Sequence, residues 1–276
     1  MRISSLFAST VLAAGLAVMS AGAASAAPIL FTWNPNGTSS GPLSSAGSQF
    51  TATNINVADY ATIDLTNPNN VIENGLLVVT SLTGGSVTHG FVNGTGAGAG
   101  GAIGGATPYQ LYFTFSSTST IGPDGSGGLK GQFTSLSYTL WGDVGGACTF
   151  SISGQDCSGS GQQLALATGN LSSSGLNSVT INNGGIPAAN VNVDITLGPD
   201  AGAFFVNPND LTDLNFVTGF TNNTDVVDHP DATHITINGG GGNVTLTKVP
   251  EPITLSVFGA GLVGAAALRR RKAKKA

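Results

Sequence analysis

The sequence predicts an all-β fold, an antiparallel jelly-roll-like β-sandwich, with an apolar helix at each end of the chain. Three observations carry the β assignment. Apolar and polar residues alternate with period two in several runs, which sends successive side chains to opposite faces of a strand. Clusters of Asn, Gly and Pro punctuate those runs at short intervals. No window between Pro28 and Lys248 sustains the 3.6-residue periodicity of an amphipathic helix.

Composition agrees. The chain has 276 residues, 41 of them glycine, and only 8% are charged, against roughly 25% in an average soluble domain. Nine Lys and Arg against fourteen Asp and Glu leave a net charge of −5. So few cations cannot build the basic footprint of a nucleic-acid binder. The 41% apolar content argues against solvated disorder.

The strands follow in chain order. Leu136, Tyr138 and Leu140 alternate within Gly131 to Trp141, and Val191, Val193, Ile195 and Leu197 alternate with Asn192, Asp194 and Thr196. Ile235 and Ile237 form a further run, and Val244, Leu246 and Val249 another. Turns are expected at Asn34-Pro35-Asn36-Gly37, Asn67-Pro68-Asn69-Asn70, Gly122-Pro123-Asp124-Gly125, Asn182-Asn183-Gly184-Gly185 and Asn207-Pro208-Asn209-Asp210. Asn93 to Thr107, nearly all Gly and Ala, reads as a surface loop. A body of about 220 residues is long enough to bury a core without metals or several disulfides.

The N-terminal helix reads as a signal peptide over residues 1–26. Arg2 precedes an apolar run from Leu6 to Met19 and then small residues. Cleavage is expected after Ala26, with Ala27 opening the mature chain, because a cut after Ala27 would set the Pro28 ring against the scissile bond. Signal peptidase and the general secretion machinery are the partners this implies. At the other end, residues 249–276 hold Pro250-Glu251-Pro252, an uncharged stretch from Ile253 to Leu268, and the basic cluster Arg269, Arg270, Arg271 and Lys272. Sixteen helical residues reach about 24 Å, a short transmembrane span. The basic cluster would hold the tail in the cytoplasm as a stop signal.

Together, Pro250, Glu251, Pro252, the apolar span and the arginines resemble the PEP-CTERM sorting signal. The resemblance implies a transmembrane sorting helix, transient inner-membrane anchoring in a Gram-negative bacterium, and processing by an exosortase at the Pro-Glu-Pro. The domain organisation expected is signal peptide 1–26, extracellular β-sandwich 27–248 and sorting signal 249–276.

The two cysteines, Cys148 and Cys157, are expected to pair in an exported chain. Thr149 to Ser153 reads as a strand and Gly154-Gln155-Asp156 as the turn returning to Cys157. Catalytic signatures are missing from the sequence: there is no Gly-x-Ser-x-Gly elbow and no His-Glu-x-x-His. Apart from Glu251, the one glutamate is Glu73, so a glycosidase pair would need Glu73 or two aspartates. No catalytic residues are assigned and no enzyme activity is expected. Asp225, Asp228 and Asp231, close in sequence beside His229 and His234, could supply oxygen ligands to Ca²⁺, the one cofactor weighed. The alternative there is a solvated acidic loop.

Phe31-Thr32-Trp33-Asn34-Pro35, Ala58-Asp59-Tyr60, Leu111 to Phe115, Gly131 to Asp143, Phe204 to Pro208 and Ile235 to Gly242 occur in the order seen in flocculation-associated PEP-CTERM proteins, which the body resembles. That resemblance implies a non-enzymatic protein of the cell surface or extracellular matrix, acting in flocculation or biofilm formation with exopolysaccharide or a neighbouring cell surface. A secreted carbohydrate-active enzyme (hydrolase or lyase) on a jelly-roll scaffold and a calcium-stabilised adhesin are the alternatives. Between Pro28 and Val249 only Lys130 and Lys248 face thirteen acids, a net −11. Neutral glycan contacts, or association bridged by divalent cations, therefore suit the processed protein better than a bare anionic polymer.

Overall fold

The computed structural model describes residues 28–33, 50–84, 87–90, 109–144, 147–158, 162–173, 177–206, 214–222 and 224–248. The expected signal peptide with Ala26 and Ala27, the Gly/Ala stretch 93–107, the turns at 34–37 and 207–210, and the tail with Pro250, Glu251, Pro252 and Arg269 to Lys272 lie outside the described residues. In chain order the first elements are β1 (Phe31–Trp33), β2 (Phe50–Ala52), β3 (Asn54–Asp64), β4 (Val71–Gly84), β5 (Val87–Gly90) and β6 (Tyr109–Pro123). Next come β7 (Leu129–Val144), β8 (Ala147–Ser151), β9 (Gly154–Ser158), β10 (Gln162–Asn170), β11 (Ser178–Ile181) and β12 (Pro187–Asp194). The rest are β13 (Thr196–Leu197), the helical turn α1 (Ala201–Phe204), β14 (Phe205–Val206), β15 (Leu214–Thr221), β16 (Val227–Asp228) and β17 (His234–Lys248).

The all-β expectation holds, but the layers differ from a sandwich. Strands β3, β4, β6, β7, β11, β12, β15 and β17 each pair antiparallel with the next, and β17 pairs back onto β3. The result is a closed eight-stranded up-and-down barrel rather than a jelly roll. Local turn chemistry favours it. Asn182 Oδ1 accepts from the Gly184 and Ile186 amides at 2.9 and 3.0 Å, and Gly185 sits at φ +78°. Asp124 Oδ1 accepts from the Ser126 and Gly128 amides at 2.7 and 3.0 Å, and Asn70 N donates to Asn67 O at 2.9 Å. Such tight turns join sequence neighbours into a meander, whereas a jelly roll needs long crossings between two sheets.

Strand β3 is two-sided, whereas Leu76 to Val79 of β4 are buried on both faces. Ile55, Val57, Asp59, Ala61 and Ile63 of β3 are buried, while Asn54, Asn56, Tyr60 and Asp64 between them are partly exposed and Thr62 is exposed. On β3, polar side chains outside and apolar ones inside reverse the pattern of a lipid-facing strand. Among the described residues, no helix is long and apolar enough to cross a membrane. The runs read separately at Ile235–Ile237 and Val244–Leu246 belong to one strand, β17. It passes through Gly239 to Gly242 with a register shift between Asn238 and Gly240.

A second, three-stranded sheet (β14-β1-β2) brings an aromatic group to the core: Trp33 stacks on Phe204 at 5.1 Å and meets Phe205 edge-on at 5.1 Å. Trp33 is buried, and Trp141 is half-buried on the outer wall, donating Nε1–H to Thr114 Oγ1 at 3.1 Å. At the β10–β12 seam, Tyr138 O–H donates to Asp194 O at 2.9 Å. Gly169 makes room, since a Cβ there would lie 1.8 Å from the same carbonyl oxygen.

The β8–β9 hairpin turns at Ile152-Ser153, earlier than the expected Gly154 to Asp156. A turn centred there sets residue 148 across from 157, whereas a turn at 154–156 would have set it past the second cysteine. Cys148 is disulfide-bonded, and its ladder partner is Cys157. Closing this ten-residue ring is worth about 2.7 kcal/mol in the chain-entropy model. Cys148→Ser is therefore expected to lower stability by about 2–3 kcal/mol in urea unfolding. A change below about 0.5 kcal/mol would show that the ring leaves the unfolded chain unconstrained.

Candidate functional site

The barrel interior is the candidate site. Its core divides into two apolar clusters, the larger containing Ile55, Val57, Leu77 and Val79 and the smaller Ala61, Ile63, Val71 and Ile237. On β3, Asp59 falls between the two sets. On β4, Glu73 falls between Val71 and Leu77. A polar layer thus interrupts an otherwise hydrophobic tube.

The strand register explains how the layer assembles. Asp59 pairs with Leu77 and with Gly240, Ala61 pairs with Gly75, and Ile63 pairs with Glu73. The residues between the two acids are therefore the smallest available, and a Cβ on Gly75 would meet Tyr60 O at 2.5 Å and Ala61 Cβ at 2.8 Å. Ser117 faces Glu73 from β6 and donates its hydroxyl to Oε2 at 3.3 Å. From the end of β15, Asn222 donates Nδ2–H to Pro187 O at 3.2 Å, which leaves Oδ1 turned toward Gly240.

Two acceptors in this layer lack donors. Asp59 is 3% exposed and Asn222 8% exposed, and neither Oδ1 has a hydrogen-bond partner. Each such buried, unmatched acceptor costs about 1–3 kcal/mol. Burial raises the Asp59 carboxyl well above the usual carboxylate range, and the neighbouring Glu73 charge raises it further. Glu73 is pushed up to about 7, again by burial, against the lowering effect of the Ser117 hydroxyl. Protein surrounds Glu73, yet water still reaches part of it, as suits a side chain lining an internal space.

That space is a cavity of about 60 Å³ bordered by both acids, Asn222 and an aromatic wall that includes Phe113, Phe133 and Phe216. It exceeds the ~15 Å³ needed for one water. Among the described residues lining it there is no Lys, Arg or His. Chemically the site offers acceptors and negative charge within hydrocarbon.

The residues singled out for calcium do not gather. Among the described residues, no group of three or more His, Cys, Asp or Glu side chains is arranged to hold a metal. Asp228 Oδ1 accepts from the His229 amide at 2.9 Å. Asp231 Oδ1 accepts from the Thr233 amide at 2.7 Å and its hydroxyl at 2.8 Å. Those bonds, the backbone one first, hold the exposed Asp231 carboxyl at about 2. His234 lies 2.7 Å from Asp231 and 3.8 Å from Asp64, whereas His229 packs against Gly185, so the two imidazoles are engaged separately.

Asp59 and Glu73 are the functional candidates that residue spacing passed over. The alternation marks only the first: Asp59 occupies the apolar phase of β3, where a charged side chain is costly unless it has a use, whereas β4 is apolar in both phases around Glu73.

Residues 248–272 match the PEP-CTERM protein-sorting motif, starting at the last residue of β17. The motif indicates an exosortase-targeted, exported surface protein. It also implies transient membrane anchoring through the C-terminal signal, with exosortase as the processing partner. No curated protein and no solved structure matches the chain.

Proposed function

We propose that this exported protein promotes flocculation or biofilm formation by associating with exopolysaccharide or neighbouring cells, without catalysing a reaction, at the surface or in the matrix of a Gram-negative bacterium. The outer wall of the barrel is the observation that carries this reading. On β6 and β7, Ser116, Thr120, Thr134, Ser135 and Ser137 are exposed, and the Thr118 hydroxyl hydrogen-bonds those of Thr134 and Ser135 at 2.7 Å each. A flat field of neutral hydroxyls offers both donors and acceptors to sugars. With a net −11 between Pro28 and Val249, neutral glycans are the favoured partners.

Deletion of the gene is expected to disperse flocs and lower matrix-bound polysaccharide, with both restored by the full-length gene. Unchanged settling and matrix composition would sink the proposal. Turnover of a matrix sugar by the purified protein would replace it with a carbohydrate-active enzyme.

A further inference from the structure

We propose that the barrel lumen is a binding site for a small amphipathic amine, with the hydrocarbon body among the phenylalanines and the ammonium group between Asp59 and Glu73. This does not depend on the flocculation reading, which concerns the outer wall. Three features of the lumen select that chemistry.

The first is a one-sided demand for hydrogen bonds. Asp59 Oδ1 and Asn222 Oδ1 are buried acceptors without donors, and both belong to the residues bordering the cavity. One N–H of the Asn222 amide is committed to Pro187 O, and the buried atom of this side chain left unmatched is its acceptor, Oδ1. An ammonium group brings three donors and no acceptor.

The second is charge. Two carboxyl groups share the layer, and no cationic side chain among the described lining residues balances them. A carboxylate or phosphate ligand would add to the repulsion; a cation relieves it. A bare metal ion is a poorer match, because two carboxyls and an amide oxygen fall short of the six to eight oxygens that Ca²⁺ takes, and the surroundings are hydrocarbon.

The third is shape. An eight-stranded barrel has an interior just wide enough to be filled by side chains or to hold one small ligand. Here the lack of a side chain on Gly75 and Gly240 lets Ala61 and Asn222 pack close within the polar layer, while Phe113, Phe133, Phe216 and Phe220 line the walls beside it. A sugar would leave most of its hydroxyls unmatched against such walls, whereas an alkyl chain would not.

The test uses the processed protein purified from its host, titrated by calorimetry at pH 8, above the value of about 7 to which Glu73 is raised, with n-propylamine, 1-propanol, propanoate and CaCl₂, whose organic members suit a cavity of about 60 Å³. Propylamine is expected to bind at one per chain and at least ten-fold more tightly than propanol, with no binding of propanoate. Asp59→Asn and Glu73→Gln should each weaken propylamine by ten-fold or more, while Asp231→Ala, on the outside, should leave it unchanged. Equal binding of propylamine and propanol, tighter binding of propanoate, or no binding of propylamine would each overturn the assignment. So would stabilisation by CaCl₂ alone. Should either lumen variant fail to fold, the ligand series on the unmodified protein decides the question.

Discussion

Replacing Trp33 with alanine is expected to cost about 3–5 kcal/mol of stability, the usual range for removing a large buried aromatic. Trp33 is 2% exposed and sits on a three-residue strand held by β2 on one side and β14 on the other. Its ring stacks on Phe204 with 24° between the planes and meets Phe205 at 88°, while Phe205 also contacts Phe31 at 6.0 Å. One substitution therefore removes the central partner of an aromatic group whose strands are too short to persist by themselves. Trp33→Phe keeps a ring in place and should cost less, about 1–2 kcal/mol, mostly from the residual void. Urea unfolding of both variants checks the pair. A loss below about 1 kcal/mol for the alanine variant would mean that the small sheet contributes little to the core.

The second large effect is a dependence of stability on pH that runs opposite to the usual carboxylate case. Glu73 binds its proton more tightly in the folded protein, from an ordinary 4.5 up to about 7, and Asp59 is shifted in the same direction. Between those values the folded chain holds more protons than the unfolded chain, so stability falls as pH rises and levels off once Glu73 has ionised. The Glu73 shift corresponds to a loss of about 3 kcal/mol across that window. The two acids interact, so the loss belongs to the pair. Glu73→Gln should flatten the profile and make the protein more stable than the parent at pH 8.

Below the window the sign reverses. The hydrogen-bonded surface acids Asp64, Asp124 and Asp231 are held under the usual range, and what they contribute fades as pH falls through their folded values. Maximum stability is therefore expected near pH 4–5. Melting temperatures from pH 4 to 8 for parent and Glu73→Gln provide the check. A parent curve that climbs from pH 5 to 8, or an unchanged slope in the variant, would contradict the assigned burial.

Much of this architecture could be read from residue patterns, for reasons visible at particular positions. Val191, Val193, Ile235 and Val244 alternate with polar neighbours because each strand has one buried face, and that signal survives in any β protein. The same alternation does not distinguish the face of a sandwich from the inside of a barrel, because closure depends on which strand meets which. Strand β11 pairing with β7, and β17 with β3, are long-range facts that no local window contains. The sorting motif was fully legible because it is a linear signal. The lumen pair was half legible: Asp59 breaks the run Ile55, Val57, Ala61, Ile63, but nothing local to either strand shows that Glu73 will join it. Asp225, Asp228 and Asp231 show the converse. Closeness in sequence suggested convergence, while Asp228 and Asp231 are occupied by their own turns through the His229 and Thr233 amides.

The closure of the barrel also constrains when the chain can fold. Strand β17 completes the ring by pairing with β3, and the bond from Thr245 Oγ1 to Asn54 Oδ1 joins residues 191 positions apart. Pro28 likewise bridges to Thr247, which brings the start of the described chain beside its last strand. Contacts of such separation make folding slow and leave unpaired strand edges exposed while the chain waits. The final stave becomes available only with the residues that lead into the sorting motif at Lys248. Ring closure thus cannot precede the residues that carry the chain into the sorting motif. The last strand of the ring ends two residues from the Pro-Glu-Pro, so a cut at that motif falls next to the stave that closes the barrel.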